Sequence, residues 1–173
     1  LGNMVEYLAQ KSRPDIVCFS KALTAGYFPL AATLTHDRIY REFLGNYSDN
    51  KQLYHGHTFT GHPVGCAAAI ANLQLYEKRN LMQQIKQNSQ YLKKILTEFE
   101  KFGSVADIRH KGLLAGIELE KDGKPLINVK HQRINYFVYK ESLKRGVHLR
   151  ALGNILVLIP PLAVGKEELE KMV

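Results

Sequence analysis

The chain has 173 residues, 45% of them hydrophobic and 23% charged, enough to bury a core for one moderate domain or two small ones and too apolar for a disordered chain. Net charge is +8, yet the basic residues do not form a patch. The densest run, residues 78–94, reads as a solvated helix face without the interleaved aromatic residues of a base-stacking platform, which argues against nucleic acid as a partner. No stretch approaches the roughly 20 apolar residues that span a bilayer. The opening LGNMVEYLAQKSRPD lacks the layout of a signal peptide, and Cys18 and Cys66 stand apart without a CxxC framework. The expectation is a cytoplasmic protein with reduced, buried thiols and no membrane partner.

In chain order, IVCFS at 16–20 has the form of a strand buried on both faces of a parallel sheet, and LAATLT at 30–35 is a second candidate. A compact parallel sheet needs crossover helices and more strands than this region supplies, so the chain is expected to begin in mid-architecture. Between the two runs stands Lys21, followed by Ala22, Ala25 and Gly26, small residues that leave room for a ligand at a strand end. A lysine held there and partly desolvated becomes a competent Schiff-base former. The plain alternative is a lysine that snorkels to the surface.

The next informative tract is HGHTFTGHPVGCAAA, residues 55–69. Thr58 and Thr60 carry hydroxyls, Gly56 and Gly61 allow close backbone approach, and a helix opening at Pro63 points its N-terminus at the loop: a cradle for a phosphate, or an ordinary glycine turn capping a helix. His55, His57, His62 and Cys66 also raise zinc, although structural zinc sites use compact Cys and His pairs that this tract lacks. An alanine-rich helix follows. A second, amphipathic helix carries Leu81, Ile85, Leu92, Ile95, Leu96 and Phe99 on one stripe, with Gly103 as its stop.

Residues 104–120 alternate at Leu113, Ala115, Ile117 and Leu119, the pattern of antiparallel strands, and Asp122-Gly123 marks a turn. A helix over about 131–145 ends before Gly146, VHLRAL and NILVLIPP supply two more strands, and GKEELEKMV starts a last helix. Arg150 sits at the end of an apolar strand before a glycine turn. It is suited to hold a carboxylate by two parallel hydrogen bonds, and standing alone it reads equally as a surface arginine on an edge strand.

Three of these stretches together resemble a known family. SKALTAGYFPLAATLT resembles the lysine motif of class III aminotransferases, enzymes of PLP fold type I; HGHTFTGHPVGCAAAIANL is similar to their HG-x-T-x-x-G-N-P loop and helix; VHLRALGNILVLIPPL resembles the strand pair that carries their substrate-binding arginine. The likeness covers nearly the whole chain, and within the family it is greatest to members that convert 8-amino-7-oxononanoate to 7,8-diaminononanoate in biotin synthesis. Members acting on ornithine, 4-aminobutyrate or another ω-amine are the alternative. The resemblance implies an α/β fold, with residues 1–77 closing the large parallel-sheet domain that binds pyridoxal 5'-phosphate and 78–173 forming a small α+β C-terminal domain.

It further implies that Lys21 holds the cofactor and moves the proton between Cα and the cofactor carbon. Thr58 would bind the cofactor phosphate across a homodimer interface, and His57 beside it would add a backbone N–H. Arg150 would bind the substrate carboxylate, with an amino donor and a keto acceptor as the small-molecule partners. His62-Pro63 replaces the family's Asn-Pro, and Ala25-Gly26 replaces a frequent Gly-Gly. The family's aspartate for the pyridinium nitrogen lies in a D-E-x-x-x-G-F-G-R-T-like segment ahead of the residues that begin this chain. The 173 residues are therefore expected to be a C-terminal portion, inactive alone as a transaminase.

Overall fold

The computed structural model describes residues 2–173. It divides into two compact units, Val5–Asn80 and Leu81–Val173, the second joined by residues 2–4. Among the described residues no helix is long and apolar enough to cross a membrane.

The first unit runs α1 (Glu6–Ala9), β1 (Ile16–Phe19), β2 (Ala32–Thr35), α2 (Asp37–Arg41) and α3 (Pro63–Lys78). β1 and β2 pair antiparallel, Ile16 opposite Thr35 and Phe19 opposite Ala32. The pairing inside this chain is thus antiparallel rather than parallel, and β1 alternates between exposed and half-buried positions. The reason is the connection. Between the strands lies a single four-residue 3-10 turn, Lys21–Thr24, with no crossover helix to carry the chain back for a parallel pairing. Among the described residues these two strands form a sheet of their own, so apolar side chains such as Ile16 and Leu34 stay exposed.

α3 begins as expected at Pro63, whose missing N–H falls where a helix has no internal partner for it. Its buried residues are Gly65 and Ala69. Gly65 is required by close approach: a Cβ there would come within 2.9 Å of the Phe28 ring.

The second unit opens with α4 (Leu81–Leu96), which buries Leu81, Ile85, Leu92 and Leu96 along one face. The helix stops well before Gly103. Thr97 turns its hydroxyl back to the Lys94 carbonyl at 2.7 Å, and Thr97–Phe99 tighten into a 3-10 turn.

There follow β3 (Val105–Lys111), β4 (Leu114–Lys121), β5 (Lys124–Pro125), β6 (Asn128–Val129), β7 (Gln132–Arg133), α5 (Ile134–Lys144), β8 (Arg150–Leu152), β9 (Ile155–Leu158) and α6 (Lys166–Met172). The main sheet has the order β3-β4-β9-β8, all antiparallel, with β5 on the end of β4. The alternation read in the sequence is real: Leu113, Ala115, Ile117 and Leu119 are all buried, as are Leu158 and Leu169. Asp122 and Gly123 both take positive φ, 53° and 71°, the two-residue hairpin turn that pairs Lys121 with Lys124. Lys130 and His131, at φ 48° and 62°, make a similar turn between β6 and β7 without glycine, so the following helix starts at Ile134 rather than 131.

His110 on β3 has a buried Nε2 with no hydrogen-bond partner. Burial first, and then the charge of Lys93, hold its pKa below the ordinary 6.5, against a backbone hydrogen bond with Gly112. A histidine depressed in the folded state contributes stability that is complete above the unfolded value and is lost as pH falls through the folded one, because the unfolded chain then binds the extra proton. Thermal melts from pH 8 to 5 are expected to show this loss below about pH 6.5, and His110→Leu is expected to flatten the profile over that range.

Candidate active site

The lysine turn is built from backbone that resists its own conformation. Ser20 is extended, Lys21 sits at φ 46° in the left-handed region, Lys21–Thr24 coil as a 3-10 turn, and Ala25 is again left-handed at φ 51°. Each such residue other than glycine costs about 1–2 kcal/mol, so the surroundings must hold the turn. They do so by several bonds. Leu23 N–H donates to Ser20 O at 3.1 Å, Ser20 Oγ donates to Leu30 O at 3.2 Å, and the hydroxyl of the buried Thr24 donates to the Phe28 carbonyl. From α3, Asn72 Nδ2 donates to Ala22 O at 2.8 Å and to Leu23 O at 3.1 Å.

The Lys21 side chain is exposed and forms no ion pair or hydrogen bond among the described residues. The desolvation expected for it is therefore not supplied by its own unit, where neither β1 nor β2 has a further strand to wall it in. Ala25 stands where the resemblance favours glycine, and its left-handed φ carries a testable cost. Ala25→Gly is expected to stabilise the protein by about 1 kcal/mol in denaturant unfolding, because glycine adopts this conformation without the Cβ clash.

The loop before α3 folds on itself. Thr60 N–H donates to His57 O at 2.9 Å, His62 N–H to Phe59 O at 3.1 Å, and Phe59 N–H to His57 Nδ1 at 3.2 Å. His57 N–H donates to Thr60 Oγ1 at 3.3 Å, so the N–H expected to serve a ligand is engaged within the loop. Thr58 is exposed and its hydroxyl has no partner among the described residues. His62 stacks on Phe28 with ring centroids 4.8 Å apart, and its buried Nδ1 has no partner.

A cleft of about 800 Å³ runs between this loop and the β1–β2 connection, lined by Ser20, Phe28, Leu30, His57, Thr60 and His62. Lys21 and Thr58 each adjoin a lining residue without lining the cleft themselves. The loop that carries the exposed Thr58 hydroxyl leads into the N-terminus of a 16-residue helix, a chemistry that suits an anion such as a cofactor phosphate, whereas the His62 Nδ1 is closed off by burial. No group of three His, Cys, Asp or Glu among the described residues could hold a metal ion.

Arg150 belongs to the second unit. It opens β8 opposite Val157, exposed beside the buried Ala151. A recess of about 430 Å³ there is lined by Asn135, Tyr136, Tyr139 and His148, with the Tyr139 and His148 rings edge to face at 5.5 Å. Arg38, Arg41, Arg109 and Arg145 each pair with a carboxylate, whereas the Arg150 guanidinium pairs with none among the described residues. Such a cation keeps its donors for a ligand. Asn72, Tyr136 and Tyr139 escaped the reading of the sequence. Helical spacing is the signal that could have found them, since Asn72 lies one heptad beyond the buried Gly65 and the two tyrosines are three apart on α5.

The family model for class III aminotransferases matches residues 2–173. The chain is 41% identical over 165 residues to the adenosylmethionine-8-amino-7-oxononanoate aminotransferase of Methanocaldococcus jannaschii, an alignment covering 95% of this chain and 36% of that protein. A crystal structure of the enzyme from that organism superposes with a TM-score of 0.84 at 38% identity, over 97% of this chain and 40% of the other. An (S)-enantioselective omega-transaminase from Thermomicrobium roseum gives a TM-score of 0.87 at 28% identity, over 99% of this chain and 38% of the other. This chain thus spans well under half the length of the proteins it matches. A match running from residue 2 to the final residue leaves no part of the described chain outside it, and the chain belongs to the class III aminotransferase family.

Proposed function

We propose that this chain serves a transaminase that uses pyridoxal 5'-phosphate to convert 8-amino-7-oxononanoate to 7,8-diaminononanoate in biotin synthesis. The observation that carries the reading is the lysine turn: a strained, multiply bonded backbone, tied to α3 through Asn72, that presents Lys21 exposed and without a partner among the described residues. Identity of 41% with a relative named for that reaction supports the substrate. In this reading residues 1–77 close the large cofactor domain and 78–173 form the small domain of a cytoplasmic homodimer.

Pyridoxal phosphate, when bound, supplies an electron sink for the substrate Cα. The chain's own residues supply the rest. Lys21 Nζ would hold the cofactor, and as a free amine it would carry the proton from and to the substrate Cα. Thr58 Oγ and the first N–H groups of α3 hold the phosphate, with His57 as the loop's neighbouring support, in a site shared across the dimer. The Arg150 guanidinium orients the carboxylate of the keto substrate through paired hydrogen bonds. Adenosylmethionine and lysine are the two candidate amino donors.

A second reading, an ω-amine transaminase of the same family, is favoured by the TM-score of 0.87 to the Thermomicrobium enzyme. The test takes the longest polypeptide that carries this chain, adds pyridoxal phosphate, reduces with borohydride and maps the adduct by peptide mass. An adduct on Lys21, together with turnover of 8-amino-7-oxononanoate, supports the proposal. Turnover of simple ω-amines alone supports the second reading, and adducts that omit Lys21 overturn both. The 173 residues alone are expected to show no transaminase turnover.

A further inference from the structure

We propose that Asn72 is a positioning residue for Lys21, setting the lysine's backbone from the opposing face of α3; the catalytic part of this inference rests on the function proposed above. The turn carrying Lys21 is only four residues of 3-10 helix, a geometry whose hydrogen bonds are poorer than those of an α-helix. It is bounded by two left-handed residues, Lys21 at φ 46° and Ala25 at φ 51°. Strain of this kind survives only where neighbouring groups over-determine it.

Asn72 answers that need from a distant part of the chain. Its amide nitrogen has two hydrogens and meets two carbonyls, Ala22 O at 2.8 Å and Leu23 O at 3.1 Å, the two residues that follow the lysine. The mount is rigid. Asn72 lies inside a 16-residue helix whose Gly65, on the same face, packs against Phe28 just after the turn. Loosening Asn72 frees the turn to relax its left-handed residues and to carry the Lys21 Cα away from its set position, and covalent chemistry is sensitive to displacements of an ångström. An aspartate of the same size would place acceptors against both carbonyls, and a leucine would leave both without this donor.

The experiment compares wild type with Asn72→Asp and Asn72→Leu in the longest polypeptide that carries this chain. Without cofactor, hydrogen exchange is read at the Leu23 and Ala25 amides, which donate to Ser20 O and Ala22 O, and at amides in the middle of α3. With pyridoxal phosphate, the rate of borohydride-trapped capture at Lys21 is measured against pH. The variants are expected to exchange the turn amides about tenfold faster, as loss of a side-chain hydrogen bond worth about 1.4 kcal/mol would give. The α3 amides should keep their protection. Capture at Lys21 is expected to slow by about tenfold or more, with a displaced pH midpoint.

Unchanged turn exchange overturns the proposal. So does a loosened turn that still captures cofactor at the wild-type rate and midpoint, since Asn72 would then be a staple without consequence for the lysine. Should the wild type itself fail to capture cofactor at Lys21, the proposed function falls. Exchange alone then decides whether Asn72 sets the lysine's backbone. If α3 protection is lost in both variants, the smaller change Asn72→Ser is read by the same two measurements.

Discussion

Lys21→Ala, in the longest polypeptide that carries this chain, is expected to lower transaminase turnover by more than about 1,000-fold, because one substitution removes both the covalent anchor and the proton carrier. The melting temperature is expected to stay within a degree or so of wild type. The side chain is exposed and unpaired, and alanine inherits the same left-handed φ of 46°. Activity assays alongside thermal melts check both halves. Equal turnover in the variant would remove Lys21 from the chemistry, and a parallel collapse in melting temperature would mean that its role is structural.

Arg150→Ala is expected to lower kcat/KM for the carboxylate-bearing keto substrate by about 30–100-fold, the effect of losing charge-assisted hydrogen bonds worth roughly 2–3 kcal/mol. The loss should fall mainly on KM. Arg150→Lys is expected to recover only part of it, because an ammonium restores the charge without the planar fork. An acceptor without a carboxylate should be processed equally by wild type and variant. This comparison also separates the two readings of substrate, since a guanidinium idle toward the oxononanoate carboxylate would leave both ratios unchanged. The recess beside Arg150, walled by Tyr136, Tyr139 and His148, offers aromatic surface for an aliphatic chain next to that charge.

Much of the second unit was legible in the sequence because its signals are local and periodic. Leu81, Ile85, Leu92 and Leu96 sit at helical spacing, and all four are buried on α4. Leu113, Ala115, Ile117 and Leu119 sit at strand spacing, and all four are buried around β4. Asp122-Gly123 is a dipeptide whose backbone preference names its turn, and both residues have positive φ. The misses arose where a local signal had a competitor. Gly103 looked like a helix stop, but the Thr97 hydroxyl and a 3-10 turn end α4 first. Lys130 and His131 adopt a hairpin turn that neither residue type announces, and so displaced the start of α5.

The first unit divides the same way. The lysine motif and the loop before α3 resemble a family whose model matches the whole described chain, because residue order is what a family resemblance records; the roles of Lys21, His57 and Thr58 rest on that resemblance. The sequence by itself also determined where α3 begins, since Pro63 needs no N–H partner and suits a first helical turn. Tertiary structure alone decided that β1 and β2 pair antiparallel, that Lys21 and Ala25 are left-handed, and that Asn72 reaches a turn 50 residues away. The physical reason is range. Propensity and periodicity act over a few residues, whereas a strained φ is set by bonds from other elements, and those exist only once the chain has folded.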